Sequence, residues 1–395
     1  MADSWTVIVI GAGAAGFNAA LSAREHSPDA TVLLIDQEEY NPYKRTKLSK
    51  HIAQGFQSEE FELQESSWYT EHEITLKTGC TIVAVDRSAR ELTDSDGNRY
   101  GYQSLILAPG ADPLYPAVVR KHEEGSFYVV RNKKDAQRLT RDARKARNVL
   151  VAGMGVLAVE VAWQLVQMKK KVTLAGATPQ IMPRQLDARA AEIMEDLLIK
   201  RGVKLMFQEE ILSFERNKKG GMDVAMIKHS GVYDLVVFCI GIKPRVDLAR
   251  QAGLEVNVGI VVDEHLRTSD EHIFSAGDAA EHEGGRLTYL WHAAEYQGKL
   301  AGENAVGGNA VFDDPPYRLK AEVFDSYFFS INKPENLLEC ELEEVEEGDM
   351  YVGLYYRDDT LCGVVMANDR DRAKLYQQAV REGWDRDKVN KEFFS

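Results

Sequence analysis

The chain carries one strand–glycine turn–helix pattern twice, and that repetition constrains its fold more than any other feature. Trp5–Ile10 is a short apolar run, as expected of a strand buried on both faces. It leads into Gly11-Ala-Gly13-Ala14-Ala15-Gly16 and then an alanine-rich helix through Arg24. A second apolar strand, Thr31–Ile35, ends in Asp36. This is G-x-G-x-x-G between strand and helix, with an acid at the tip of the next strand. Gly11 permits the tight turn, Gly13 lets the backbone approach a pyrophosphate, and Gly16 lets the helix pack close. The helix N-terminus presents its positive dipole end to phosphate, and Asp36 can accept hydrogen bonds from a ribose diol.

The pattern returns 142 residues later, too far for a solenoid repeat. Asn148–Ala152 is a strand, Gly153-Met-Gly155-Val156-Leu157-Ala158 the turn, and a helix follows through Glu160. The next strand, Lys171–Ala175, ends in Gly176. Position 176 therefore holds neither the acid that binds an adenine ribose nor an arginine for a 2′-phosphate. The choice between NADH and NADPH stays open, with Thr178 and Gln180 as neighbours able to substitute. A chain of 395 residues with two such patterns is expected to hold two to three domains.

Composition narrows the class. The net charge is −14, from 48 basic and 62 acidic residues, which leaves no general footprint for nucleic acid. Cys80, Cys239, Cys340 and Cys362 are far apart in sequence, with no C-x-x-C and no metal spacing, so neither a disulfide framework nor a close-spaced dithiol is expected, and no metal. A reduced, cytoplasmic setting fits. Residues 5–23 are uncharged, but Asp3 precedes them and glycines interrupt them, so a buried strand and helix are expected there, with no signal peptide and no membrane span.

Together the motifs resemble the two-dinucleotide flavoprotein reductases, which carry FAD on the first fold and NAD(P)H on the second. Leu105-Ile-Leu-Ala108-Pro109-Gly110 resembles that family's return strand and turn, and Phe238-Cys-Ile-Gly241 the second crossover. Thr268 to Gly277-Asp278 resembles the second FAD motif, in which Asp278 holds the ribityl chain. Pro42-Tyr-Lys-Arg45-Thr-Lys-Leu48-Ser49-Lys50 resembles the corresponding segment of ferredoxin and rubredoxin reductases. It holds no cysteine, unlike the disulfide reductases and the cysteine-based NADH oxidases, and thiol chemistry at the flavin is discounted. Pro183–Asp187, Trp291–Gly298 and the tail segments from Phe324 resemble the flavin module of assimilatory nitrite reductases, without the cysteine array of the modules that follow there.

The resemblance implies an α/β chain of two Rossmann-like, three-layer dinucleotide-binding domains and a small α+β C-terminal domain. The FAD domain is expected at 1–115 and 243–317, the NAD(P)H domain at 116–242, and the C-terminal domain at 318–395, with strands turning at Arg357–Thr360 and a helix from Arg370 to about Glu382. It implies catalytic roles for Lys50, beside flavin N5, and Glu160, which fixes that lysine and touches the nicotinamide amide. It implies FAD contacts for Gly11, Gly13, Ala14, Ala15, Gly16, Asp36, Gln37, Arg45, Lys50, Ile82, Ala108, Pro109, Gly110, Gly277, Asp278 and Trp291. NAD(P)H falls to Gly153, Gly155, Val156, Leu157, Glu160 and Gly241. His292 is more readily a hydrogen-bonding residue than an acid or base.

The implied reaction is electron transfer from NAD(P)H through FAD to a small redox protein such as rubredoxin or ferredoxin. Direct reduction of oxygen, a quinone or another small acceptor is the second reading. A flavin-binding interaction protein with weak turnover is the third, favoured by Gly176. The basic run Arg131–Arg147 reads as a charged helix face, or more sharply as a dock for an acidic carrier. A homodimer is a further expected partner.

Overall fold

The structure is a computed structural model describing residues 3–56, 61–119 and 126–394. Met1, Ala2, residues 57–60 and 120–125, and Ser395 fall inside the expected domain limits but outside the described residues. In chain order the helices are α1 (Ala14–His26), α2 (Ser66–Glu71), α3 (Lys133–Ala143), α4 (Val156–Gln167), α5 (Ala188–Lys200), α6 (Asp247–Gln251), α7 (Trp291–Ala305), α8 (Ala373–Glu382) and α9 (Arg386–Phe394). The chain divides into two units. One comprises Met1–Lys47, Gln57–Asp112 and Ile242–Asp314, and the other Leu48–Phe56, Pro113–Gly241 and Pro315–Ser395.

The first unit is built on a parallel sheet in the order Ile74–Lys77, Val32–Ile35, Asp3–Ile10, Arg99–Leu107. Val32–Ile35, Val7–Val9 and Leu105–Leu107 are apolar and buried without alternation because both faces are covered there. Val7, Val9 and Leu34 join the alanines of α1 in one core, while Ile8, Leu33 and Leu105 join Ile273 in another. Arg99–Leu107 changes partner along its length. Its first residues pair antiparallel with Glu91–Asp94, and its last pair in parallel with Ile273–Ser275. Ile10 stands opposite both Ile35 and Leu107, and Leu107 opposite Ser275. Gly11, Asp36, Ala108 and Ala276 therefore leave the sheet at one carboxyl edge, where such sheets bind ligands.

Helices α1 and α7 cross at backbone contact. A Cβ on Gly298 would lie 2.1 Å from the carbonyl oxygen of Ala15, and one on Gly302 2.2 Å from that of Ala19. The seam follows from the small-residue face of α1 (Ala15, Ala19, Ser22) meeting glycines four apart.

The second unit repeats the parallel theme in the order Lys204–Phe207, Lys171–Gly176, Asn148–Ala152, Leu235–Phe238. The tail forms a five-stranded sheet in the order Arg318–Val323, Ser326–Ile331, Thr360–Ala367, Met350–Arg357, Glu341–Glu347, covered by α8 and α9. The tail is tied to α5: Asp187, the N-cap of that helix, accepts hydrogen bonds from Tyr351 Oη (2.8 Å) and Tyr355 Oη (2.9 Å). Arg189 pairs with Glu346 at 2.8 Å.

Two expectations change. The helix expected from Arg370 begins at Ala373, because Arg370–Arg372 form the turn that precedes it. A further helix, α9, follows, with Lys388 N donating to Asp385 Oδ1 at 2.8 Å in its first turn and Val389 and Phe393 buried. The cysteines, far apart in sequence, are not all apart in space: the tail fold brings the sulfurs of Cys340 and Cys362 to 3.7 Å. Among the described residues no helix is long and apolar enough to cross a membrane, and no group of three or more His, Cys, Asp or Glu is placed to hold a metal.

Candidate functional site

In the first unit the glycine turn is fixed by close approach. Gly11 has φ +96°, its N–H donates to Ile35 O at 2.8 Å, and a Cβ there would meet Ala108 O at 2.1 Å. A Cβ on Gly16 would meet Gly11 O at 1.7 Å. Gly13 caps α1, which has no side-chain cap and no acid in its first turn. The first N–H groups of a helix have no partner within it, so the turn through Ala14 and Ala15 is suited to an anion. The one neighbour within 4 Å of a Cβ on Gly13 would be Arg45 Nε, at 4.0 Å. Arg45 itself pairs with Glu38 at 2.5 Å and with Tyr43 Oη at 3.2 Å.

Asp36 has a backbone duty that the sequence does not show. Its two oxygens accept from Ala12 N (2.6 Å) and Glu38 N (2.8 Å), which ties the glycine turn to the loop after Ile35. Gln37 is exposed beside it. Ile82 follows Cys80, whose N–H donates to Asp36 O at 2.9 Å. Pro109 and Gly110 are held by Arg245: its N–H donates to Gly110 O at 2.9 Å, and its guanidinium pairs with Asp112 at 2.6 Å.

Gly277 N–H donates to Gln297 Oε1 at 2.7 Å, and Gln297 is fully buried. This residue fixes the turn that carries half-buried Asp278, a role sequence reasoning missed. Its position one residue before Gly298 is the signal that could have found it. Trp291 opens α7, again with no side-chain cap and no acid in the first turn. Trp291 Nε1 donates to Glu295 Oε1 at 2.8 Å, and His292 Nδ1 lies 3.0 Å from Glu295 Oε2. These bonds hold the Glu295 carboxyl below its usual range. His292 is thus a hydrogen-bonding residue here.

The second unit repeats the geometry. Gly153 has φ +136°, and a Cβ there would meet Cys239 O at 2.3 Å, the counterpart of the Gly11–Ala108 contact. Gly155 caps α4 over open space, with no side-chain cap and no first-turn acid, and Val156 and Leu157 stand half-buried behind it. Gly241, with φ +119°, accepts from Leu114 N–H at 2.9 Å. In both turns the first glycine is crowded by backbone, while the glycine that caps the helix has little or nothing within 4 Å of a Cβ, a form suited to an approaching anion.

The structure brings Lys50 to Glu160, across 110 residues of sequence, within this unit. Lys50 Nζ lies 3.4 Å from Glu160 Oε1, and Ser49 Oγ donates to Glu160 Oε2 at 2.5 Å. Ala53 N–H donates to Gln164 Oε1, one helical turn further along α4, at 3.1 Å. Burial drives the Glu160 carboxyl above its ordinary value, and Lys50 and Ser49 only partly offset it. A buried acid held by one ammonium and one hydroxyl is costly and specific, as functional acids often are.

Position 176 has a physical explanation. A Cβ on Gly176 would lie 2.8 Å from Met154 Cγ, and Met154 is buried. Thr178 Oγ1 already donates to Gln180 O (2.9 Å), and Gln180 Nε2 to Leu186 O (3.2 Å). Gly176→Asp is expected to cost about 1–3 kcal/mol by overpacking. Adding Met154→Ala should restore part of the loss in thermal melts. A single variant as stable as the parent would show that Met154 yields freely.

Helix α3, within the basic run, is closed by a capping box of Asn132 and Asp135. Arg138 covers the Tyr128 ring at 4.5 Å and Arg141 pairs with Asp142 at 2.9 Å. Part of the run's charge is therefore spent within the unit.

The family model for pyridine nucleotide-disulphide oxidoreductases matches residues 5–298. The chain is 32% identical over 277 residues to rubredoxin-NAD(+) reductase of Pseudomonas putida, covering 69% of this chain and 71% of that one. It is 27% identical over 361 residues to the assimilatory nitrate reductase electron transfer subunit of Bacillus subtilis, covering 89% of this chain and 46% of that one. Its fold matches the crystal structure of the covalent putidaredoxin reductase–putidaredoxin complex with a TM-score of 0.87 at 22% identity, over 97% of this chain and 94% of that chain.

Proposed function

Because the chain belongs to the pyridine nucleotide-disulphide oxidoreductase family, we propose that it is an FAD-dependent NAD(P)H oxidoreductase whose acceptor is a small redox protein of the rubredoxin or ferredoxin kind. The observation that carries this reading is the Lys50–Ser49–Glu160 cluster. It stands in the segment that would hold cysteine in a thiol-using relative, and it presents an ammonium and a buried acid instead.

FAD, when bound, supplies acceptance of two electrons from the nicotinamide and their release to the acceptor. The residues here supply position and electrostatics. The N-termini of α1 and α4 receive the two pyrophosphates, with Arg45 adding charge beside Gly13. Asp36, whose two oxygens each accept one backbone bond, retains lone pairs for the adenosine ribose of FAD, and Asp278 would hold the ribityl chain. Glu160 orients Lys50 and accepts from the nicotinamide amide, and Lys50 stabilises negative charge where the flavin receives electrons. Under this reading 1–115 and 243–317 hold FAD, 116–242 hold NAD(P)H, and 318–395 form the C-terminal domain.

NADH- or NADPH-driven reduction of a purified rubredoxin or ferredoxin, followed spectrally, tests the acceptor. Reduction at least about tenfold faster than oxygen uptake is expected. Oxygen or quinone reduction as the faster reaction would replace the carrier reading with that of an oxidase or quinone reductase. The crowding of Gly176 by Met154 specifically favours a different second reading, a flavin-binding interaction protein, which predicts slow reduction by both nucleotides.

A further inference from the structure

We propose that Cys340 and Cys362 are a peroxide-oxidisable thiol pair that closes a reversible disulfide within the tail sheet. Their sulfurs are in van der Waals contact at 3.7 Å, and both residues are partly exposed. The two thiols are not equivalent. Arg357 places Nη2 3.9 Å from Cys340 Sγ while pairing with Glu339 at 3.5 Å, so the cation beside that sulfur is shared with a carboxylate. Cys362 donates its S–H to Tyr355 O at 3.2 Å, and burial together with its neighbour Cys340 pushes its thiol up to about 11. Cys340 is therefore the attacking sulfur, and Cys362 the one held in reserve as a thiol.

The contact must shorten by roughly 1.7 Å to reach disulfide bond length. The fold leaves slack on both sides. Cys340 ends an exposed turn in which Leu338 is 96% exposed. Cys362 lies opposite the register shift between Tyr355 and Tyr356.

In the first step the Cys340 thiolate attacks one peroxide oxygen. The O–O bond breaks, a sulfenic acid forms, and hydroxide leaves and takes up a proton. In the second step the Cys362 sulfur attacks Cys340 Sγ. The S–S bond forms, the S–O bond breaks, and the departing hydroxide takes the Cys362 proton. Two thiols lose two electrons, and one peroxide becomes two waters. Cys80 and Cys239 are buried, and burial pushes the Cys239 thiol up to about 12, so these two serve as internal controls.

The test uses the full-length flavoprotein treated with hydrogen peroxide. Free thiols are blocked with iodoacetamide, the protein is reduced with dithiothreitol, and newly freed thiols are tagged and mapped by mass. The second tag is expected on Cys340 and Cys362 alone, with the intact chain about 2 Da lighter before reduction. Cys340→Ser should slow oxidation of Cys362 at least about tenfold, and Cys362→Ser should leave a sulfenic acid on Cys340 that dimedone captures. Iodoacetamide labelling of both residues after peroxide, cross-links between chains, or sulfinic acid without a disulfide would each overturn the proposal.

Discussion

Gly298→Ala is expected to yield a protein that purifies with less than about a tenth of its flavin and melts several degrees early. The added methyl would lie 2.1 Å from Ala15 O and 2.8 Å from Ala15 C, both backbone atoms that cannot rotate away. Either α7 lifts or α1 shifts by about 1 Å, at a cost of about 1–3 kcal/mol or more. Both movements reach residues proposed to hold FAD. Ala15 is in the first turn of α1, and Gln297, next to Gly298, holds Gly277. Gly97→Ala is the control: φ is +84° there, but the space is open. It should cost only about 1 kcal/mol of backbone strain and keep its flavin. Full flavin content in Gly298→Ala, measured as the ratio of flavin to protein absorbance, would contradict the role given to the seam.

The second large effect is at the Lys50–Glu160 pair. Lys50→Met and Glu160→Gln are each expected to slow flavin reduction by NADH or NADPH about 10- to 100-fold in rapid mixing. Their stabilities should move in opposite directions. Burial raises the Glu160 carboxyl, so the folded state holds this proton more tightly than the unfolded state. That contribution is full below the ordinary carboxylate range and is lost as pH rises through the raised folded value, by up to ~1.4 kcal/mol per pH unit. Glu160→Gln removes the loss, so the variant should gain on the parent in thermal melts from acid to neutral pH. Lys50→Met leaves a buried carboxylate without its cation and should lose about 1–2 kcal/mol at neutral pH; Lys50 is 32% exposed, so the penalty falls short of a fully buried pair. Reduction rates unchanged in both variants would remove the pair from the mechanism.

Both glycine turns were legible in the sequence because their chemistry is local. Gly11, Gly13 and Gly16, the strand before them and Asp36 lie within one supersecondary unit, and so does the second turn. Contacts made across the chain were not legible. Lys50 and Glu160 were linked only by resemblance, and the structure adds Ser49 as a third member. Asp36 was read as a ribose acceptor, but its bonds to Ala12 and Glu38 depend on how the loop folds back. Gly176 read as a missing recognition residue, whereas Met154, buried two residues before the second strand's helix begins, fills the space a side chain would need. Cys340 and Cys362 looked unrelated because a strand and its return separate them. Helix α9 was missed because its short polar surface hides the buried pair Val389 and Phe393.

Whether nicotinamide reduces the flavin of this chain is decided by anaerobic titration of the purified flavoprotein with NADH and separately with NADPH, following flavin absorbance. Full bleaching by one nucleotide at about one equivalent per flavin is expected. Flavin that stays oxidised with both nucleotides, yet bleaches with dithionite, would contradict it, because the chain would then not pass electrons from a nicotinamide to its flavin.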